Sequence, residues 1–178
     1  MEYFDLYDSE RRKTGQVLSR GAAMPEGAYR LVVHACIFNA AKRMLIQRRQ
    51  PFKEDWAGLW DVSVGGCAVA GEDSRQAVHR EVCEELGLDI DFSSLRPALT
   101  VNWSHGFDDI YIVHREVSPE SLHLQESEVA EVRWATRDEI HAMIAEGTFI
   151  PYFDELIDLL FAKASNAGGT HRVKVPPS

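Results

Sequence analysis

Glu81, Glu84 and Glu85 stand at i, i+3 and i+4 in a stretch, Ser74 to Leu86, that holds neither Gly nor Pro. On a helix turning about 100° per residue they share one arc, beside an apolar stripe of Val78, Val82 and Leu86. Carboxylates at these spacings repel by about 0.2–0.5 kcal/mol per pair in an isolated helix. The nearby cations are Arg75 and Arg80, with no Lys among them. Hard oxygen donors on one rigid face are what Mg²⁺ takes from a protein; the ion keeps several waters and draws further ligands from substrate phosphates. Most Glu clusters are solvated faces, so the surrounding residues must decide.

Those surroundings read Gly66-x5-Glu72-x7-Arg80-Glu81-Val82-x-Glu84-Glu85-x-Gly87-Leu88. Seven fixed residues at roughly 7% abundance each coincide by chance in about one such chain in a million, which sets coincidence aside. The pattern resembles the signature of the Nudix hydrolase superfamily, with every fixed position filled. The resemblance implies that Glu81 and Glu85 bind metal directly and that Glu84 does so directly or through water. It also implies that Glu72 lies near the same metals, oriented by Arg80, and that Gly65 lends a backbone carbonyl. Gly65-Gly66 suits a close approach of backbone to an ion, although glycines there also suit a plain hairpin turn. The implied cofactor is Mg²⁺, with Mn²⁺ as a substitute. The implied chemistry is hydrolysis of a diphosphate linked to another group, either a nucleoside diphosphate derivative or another small organic diphosphate.

The helix carrying the carboxylates can be capped by Asp73 or Ser74 and closed by Gly87. Strands are predicted over Glu2 to Tyr7, Arg30 to Phe38, Met44 to Arg49, Asp61 to Val64, Ala98 to Trp103, Ile110 to His114 and Val132 to Ala135. The turn Asn39-Ala40-Ala41-Lys42 makes the second and third of these a hairpin. Asp138 to Ala145 reads as a helix capped by Thr136 with Glu139, and Pro151 begins another whose Phe153, Ile157, Leu160 and Phe161 share a side. This order gives an α/β class: a mixed β-sheet sandwiched between α-helices, consistent with the Nudix fold. Residues 1–164 are expected to form a single domain, followed by a flexible tail over 165–178.

A formal charge of −9 argues against a general nucleic-acid surface, while a bound cation inverts the local field for a phosphorylated substrate. The apolar runs are short, so no membrane span is expected. Glu2, Asp5, Asp8 and Glu10 do not read as a signal peptide. Three cysteines (Cys36, Cys67, Cys83) give neither a disulfide framework nor a zinc spacing, which fits a reducing cytoplasm. The chain is expected to be a monomer or homodimer.

Upstream, Tyr3-Phe4-Asp5-Leu6-Tyr7-Asp8, Gly15, Arg30 to Asn39 and Leu45-Ile46-Gln47-Arg48-Arg49 are similar to isopentenyl-diphosphate isomerase and its hydrolase relatives, a likeness extending through Trp60 to Trp134. The isomerase uses a catalytic Cys at the position of Gly65, a metal-binding His at that of Cys67, and histidines at those of Ala23 and Arg30. None is present, so isomerisation is disfavoured. A non-catalytic binding domain is disfavoured as well, because every motif carboxylate is kept.

The resemblance to the Nudix hydrolases implies that the base accepting the water's proton lies outside the motif, on a loop. Glu128 is the first choice here, Glu126 the second and Glu131 the third. Asp109 aligns with a metal-binding Glu of the isomerase, which implies an accessory ligand; by its own place it equally starts the Ile110 strand. Arg48, Arg49 and Lys53 are candidates for substrate phosphates, although strand alternation lets at most one of the two arginines face the site. Phe52, Trp56 and Trp103 are candidate stacking surfaces and Trp60 a core residue. His105 reads as a surface residue and His34 as a satisfied buried one.

Overall fold

A computed structural model describes residues 2–166 and 169–171. Strands β3 (Arg30–Phe38) and β4 (Met44–Arg49) leave the predicted turn together but share one pair, Phe38↔Met44. The expected hairpin is therefore present but short, because other partners take both strands beyond that pair. β3 runs antiparallel to β6 (Val64–Cys67) and parallel to β8 (Gly106–His114), which pairs with β7 (Leu99–Trp103). β4 instead runs between β5 (Trp60–Asp61) and β9 (Val129–Ala135). The seven-stranded mixed sheet thus opens into two wings.

Each face of the sheet carries a core. On one side Leu31, Val33, Ala35 and Ile37 of β3 meet Ala77, Val78, Val82 and Leu86 of α1 (Ser74–Leu86). On the other, Cys36, Phe38, Met44 and Ile46 meet Ile140 and Met143 of α2 (Arg137–Ala145) and Ile157 and Leu160 of α3 (Asp154–Ser165). The alternation along β3 makes this two-sided burial possible. The result is the expected α/β class with helices on both faces.

A separate hairpin, β1 (Tyr3–Tyr7) with β2 (Lys13–Ser19), lies across the loop before α1. Asp5 accepts a bond from the Gly71 amide (2.8 Å), and the Ala70 amide donates to the Tyr3 carbonyl (2.7 Å). β2 is exposed along most of its length, so no apolar alternation announces it.

α1 begins with a capping box, Asp73 accepting from the Arg75 and Gln76 amides while Gln76 accepts from Asp73. It ends at Gly87, whose φ of 66° is the left-handed conformation that glycine supplies without strain. α2 is capped by Thr136 and Glu139 as its sequence suggests. α3 begins at Asp154 rather than Pro151: the Ile150 amide bonds to the Trp60 carbonyl (2.8 Å), holding the segment extended. Phe153 consequently points outward, 80% exposed, instead of joining Ile157 and Leu160. Of the expected tail, Ser165 closes α3, whereas residues 167–168 and 172–178 lie outside the described residues. No described helix is long and apolar enough to cross a membrane.

Candidate active site

β6 and α1 bring the motif glycines under the carboxylate face. An added Cβ at Gly66 would stand 2.0 Å from Glu81 Oε1, and one at Gly65 would stand 2.6 Å from the His34 ring. Both positions are therefore glycine for space. Glu81 and Glu85 are buried, whereas Glu84 is exposed. Gln47 of β4 donates to Glu85 Oε2 (3.0 Å), while its own amide oxygen is buried without a partner.

Arg80 organises the outer part of this face. Its guanidinium grips both oxygens of Glu72 (2.7 and 3.0 Å) and donates to the Cys67 carbonyl (3.0 Å). Although adjacent to Glu81 in sequence, it curls back to reach Glu81 (3.0 Å) and Glu84 (3.1 Å) as well. Glu72 also accepts from the Val69 amide (3.0 Å), and Lys13 of the N-terminal hairpin donates to its carbonyl (2.9 Å).

Burial pushes the Glu81 carboxyl up to about 7 despite Arg80. Burial again, with the nearby charge of Glu81, pushes Glu85 up to about 8, the Gln47 bond opposing only part of this. The charged neighbours acting on Glu85 (Glu81, Asp61, Glu128) are all acidic. Two buried carboxylates with like-charged neighbours, an amide oxygen lacking a donor and a glycine floor fit a divalent cation.

The other candidates fall into distinct places. The loop 122–128 packs on the end of α1, with the Gln125 amide donating to the Glu85 carbonyl (3.1 Å), and this brings Glu128 near Glu85. Glu128 is ion-paired to Lys53 (2.7 Å), so two candidates with separate expected roles neutralise each other. Glu126 and Glu131 are exposed. Arg48 donates to the Gly58 carbonyl and Arg49 to that of Asp55 (3.0 and 3.2 Å), so both brace the loop between β4 and β5. A bulge between them breaks the simple alternation on which the opposite-face expectation rests. Phe52 and Trp56 on that loop are exposed, whereas Trp60 packs against the core under Arg133.

Asp109 is drawn elsewhere. Fully buried, it accepts from Ser74 (2.6 Å), Thr100 (2.7 Å) and both terminal nitrogens of Arg11. Its oxygens are filled by these donors, and it braces α1 against β7 and β8 in place of the expected accessory ligation.

Sequence reasoning missed Gln47, the single polar residue within the buried part of β4, which was the available signal. It also missed the partner of His34. Below Gly65, His34 Nδ1 bonds Asp108 (2.7 Å), and nearby Asp61 accepts from Tyr152 (2.8 Å). Burial opposes a charge on His34, yet the Asp108 bond and the carboxylates of Asp108, Asp61 and Glu85 raise its pKa above the ordinary value.

Residues 28–154 match the NUDIX domain family. An uncharacterised Nudix hydrolase of Listeria monocytogenes, lmo0368, is 44% identical over 153 residues, covering 86% of this chain and 90% of its own. An isopentenyl-diphosphate Delta-isomerase of Clavibacter michiganensis is 26% identical, covering 92% of this chain and 88% of its own. The crystal structure of DR0079 from Deinococcus radiodurans superposes with a TM-score of 0.73 at 28% identity, over 89% of this chain and 97% of that one. A domain match over most of the chain, together with a relative so similar along nearly its whole length, makes this protein a member of the Nudix family.

Proposed function

We propose that this protein is a Mg²⁺-dependent hydrolase that cleaves the diphosphate linkage of a nucleoside diphosphate derivative or another small organic diphosphate, with Mn²⁺ as a substitute ion. The observation that carries this reading is the buried Glu81–Glu85 pair over Gly66, with a cation as the missing counter-charge. Glu81 and Glu85 would hold the ion, with Glu84, Glu72 and the Gly65 carbonyl at its margin. Bound there, Mg²⁺ supplies charge stabilisation to phosphate oxygens, which is most of what phosphoryl transfer needs.

The chain's own residues supply position and proton transfer. Arg80 fixes Glu72 through a two-pronged bond and anchors it to β6 through the Cys67 carbonyl. Glu128, held beside Glu85 by its loop, accepts the proton of the attacking water. The water oxygen bonds to phosphorus as the bridging P–O bond breaks. Lys53 answers the charge on Glu128 until substrate enters, and then, with Arg48 and Arg49, offers the loop 50–59 to the phosphates. Isomerisation finds no support in this geometry, since the cysteine it uses at Gly65 would collide with His34.

The test is turnover of a panel of nucleoside di- and triphosphates, nucleotide sugars, dinucleotide cofactors and isopentenyl diphosphate with Mg²⁺, for the protein and for Glu85→Gln. Release of phosphate or monophosphate by the first and not the second supports the reading. Equal turnover by both would refute the metal assignment, and an isomer product would refute hydrolysis.

A further inference from the structure

We propose a second metal site, selective for a borderline transition ion such as Zn²⁺, formed by His79 and Cys83 of α1 with Asp89 of the following loop. It lies away from the carboxylates: at about 100° per residue, the pairs His79/Glu81 and Cys83/Glu85 are each separated by about 200° around the helix.

Among the described residues, these three bring one ligand atom each within 4.8 Å of one another, the one such trio of His, Cys, Asp or Glu side chains. The His79 Nε2 atom lies 3.6 Å from Cys83 Sγ and 3.8 Å from Asp89 Oδ1. A tetrahedral ion with Zn–S of about 2.3 Å and Zn–N or Zn–O of about 2.0–2.1 Å sets such ligand atoms roughly 3.3–3.6 Å apart. The two distances from His79 are within a few tenths of an ångström of this spacing, and Asp89, at the exposed end of the trio and within 4.8 Å of the other two ligand atoms, is the side chain that moves to close on an ion.

The imidazole is already oriented for ligation. Its Nδ1 faces the Ile90 carbonyl at 3.3 Å, and a carbonyl can only accept, so Nδ1 carries the proton and Nε2 keeps its lone pair. A backbone acceptor behind the remote nitrogen is the usual support of a metal-bound His. The loop that returns Asp89 is fixed on both sides. The Gly87 amide bonds to the Cys83 carbonyl (3.0 Å) and Leu88 to that of Val82 (3.4 Å), while Ile90 is buried in the core. An ordinary His–Asp surface pair would need neither the sulphur nor this ring orientation.

A mixed N, S, O set prefers Zn²⁺, Co²⁺ or Cu²⁺ and is poor for Mg²⁺, which avoids sulphur. On binding, the thiol gives its proton to solvent and the thiolate bonds the ion, so charge and atoms balance with no oxidant. Three protein ligands leave a fourth position to water. The ion would tie the end of α1 to the loop behind it, on the helix that also carries Glu85.

The test is a Co²⁺ titration of the reduced protein in excess Mg²⁺, read by near-ultraviolet thiolate-to-metal charge-transfer absorption. The band should saturate at one ion per chain, disappear on adding Zn²⁺, and be absent in Cys83→Ser. His79→Ala and Asp89→Asn should weaken binding by at least about tenfold, the loss that follows removal even of a supporting partner. Asp89 is 92% exposed, so its variant probes ligation without unfolding the chain. Cys67→Ser and Glu85→Gln should keep the band. No band in the unmodified protein, or a band that survives Cys83→Ser, overturns the proposal.

Discussion

Gly66 and Glu81 are related by space: the room a side chain would need at residue 66 is filled by the Glu81 carboxylate, whose Oε1 would lie 2.0 Å from an added Cβ. The φ of Gly66 is not positive, so alanine there meets no backbone strain. Gly66→Ala should therefore fold and yet swing Glu81 off the face. We expect the apparent Mg²⁺ requirement to rise and kcat to fall by about a hundredfold, of the order seen when a positioned electrostatic group is lost. Metal-activation curves and a thermal melt check this; unchanged activation by Mg²⁺ would mean that Glu81 has no metal role.

Arg80 is tied to Glu72, Glu81, Glu84 and the Cys67 carbonyl, with its side chain 23% exposed. Arg80→Ala leaves partly buried carboxylates unpaired and should destabilise the protein by roughly 2–3 kcal/mol, less than the about 3–5 kcal/mol of a fully buried pair because water reaches the group. Arg80→Lys keeps charge but loses the two-pronged grip on Glu72. It should recover most of the stability and little of the activity, as denaturant midpoints beside kcat would show.

The raised carboxyls of Glu81 and Glu85 fix a pH signature. Folded values of about 7 and 8 lie above the ordinary 4.5, so between these limits the folded chain holds more protons than the unfolded one. Their stabilising contribution is complete below about pH 4.5 and is lost as pH rises through 7 and 8. Without divalent ions, the melting temperature should fall over that window more steeply than in Glu85→Gln. Mg²⁺, which takes the ionised form, should bind more tightly as pH rises to about 8 and offset the loss. A pH-independent Mg²⁺ affinity would contradict the assignment.

The helix that carries the carboxylates was legible because its signals are local: Asp73 and Gln76 at one end, Gly87 at the other, and an apolar stripe between. Pairings over long sequence distances were not. Asn39 to Lys42 gives the turn that joins β3 to β4, but nothing within Met44 to Arg49 says that the longer ladder of β4 runs with β9. The exposed β2 lacks the alternation that reveals a half-buried strand. Asp109 shows the same limit within the site region, since its donors Arg11, Ser74 and Thr100 come from three separate segments. The grouping of His79, Cys83 and Asp89 hid for another reason: the first two stand at unspecified positions of a motif whose other residues already have an explanation, and Asp89 lies just past its end.

Gly65→Cys would restore the isomerase cysteine by name, yet its Cβ would meet the His34 ring at 2.6–2.7 Å. His34 is pinned by Asp108 at 2.7 Å and cannot yield cheaply. We expect a destabilised protein, by about 1–3 kcal/mol as for other overpacked sites, with no proton exchange into isopentenyl diphosphate. Exchange detected by NMR in deuterated water would show that the two activities lie closer than this geometry allows.

Glu128 and Lys53 form the one ion pair between the loop 50–59 and the loop leading into β9 among the described residues. If Glu128 takes the water's proton, Glu128→Gln should lower kcat by about 10²–10⁴ and leave Mg²⁺ binding intact. Lys53→Ala should act mainly on KM. A variant at Glu128 that loses less than tenfold in kcat would move the base to Glu126 or elsewhere.

The most direct test of the central claim is Mn²⁺ binding followed by electron paramagnetic resonance, alongside turnover, for the protein, Glu81→Gln and Glu85→Gln. The account predicts bound Mn²⁺ and diphosphate hydrolysis in the first, and loss of both together in the two variants. Mn²⁺ binding and turnover that both survive in Glu85→Gln would contradict it, because the ion that drives the reaction would then lie somewhere other than over Gly66.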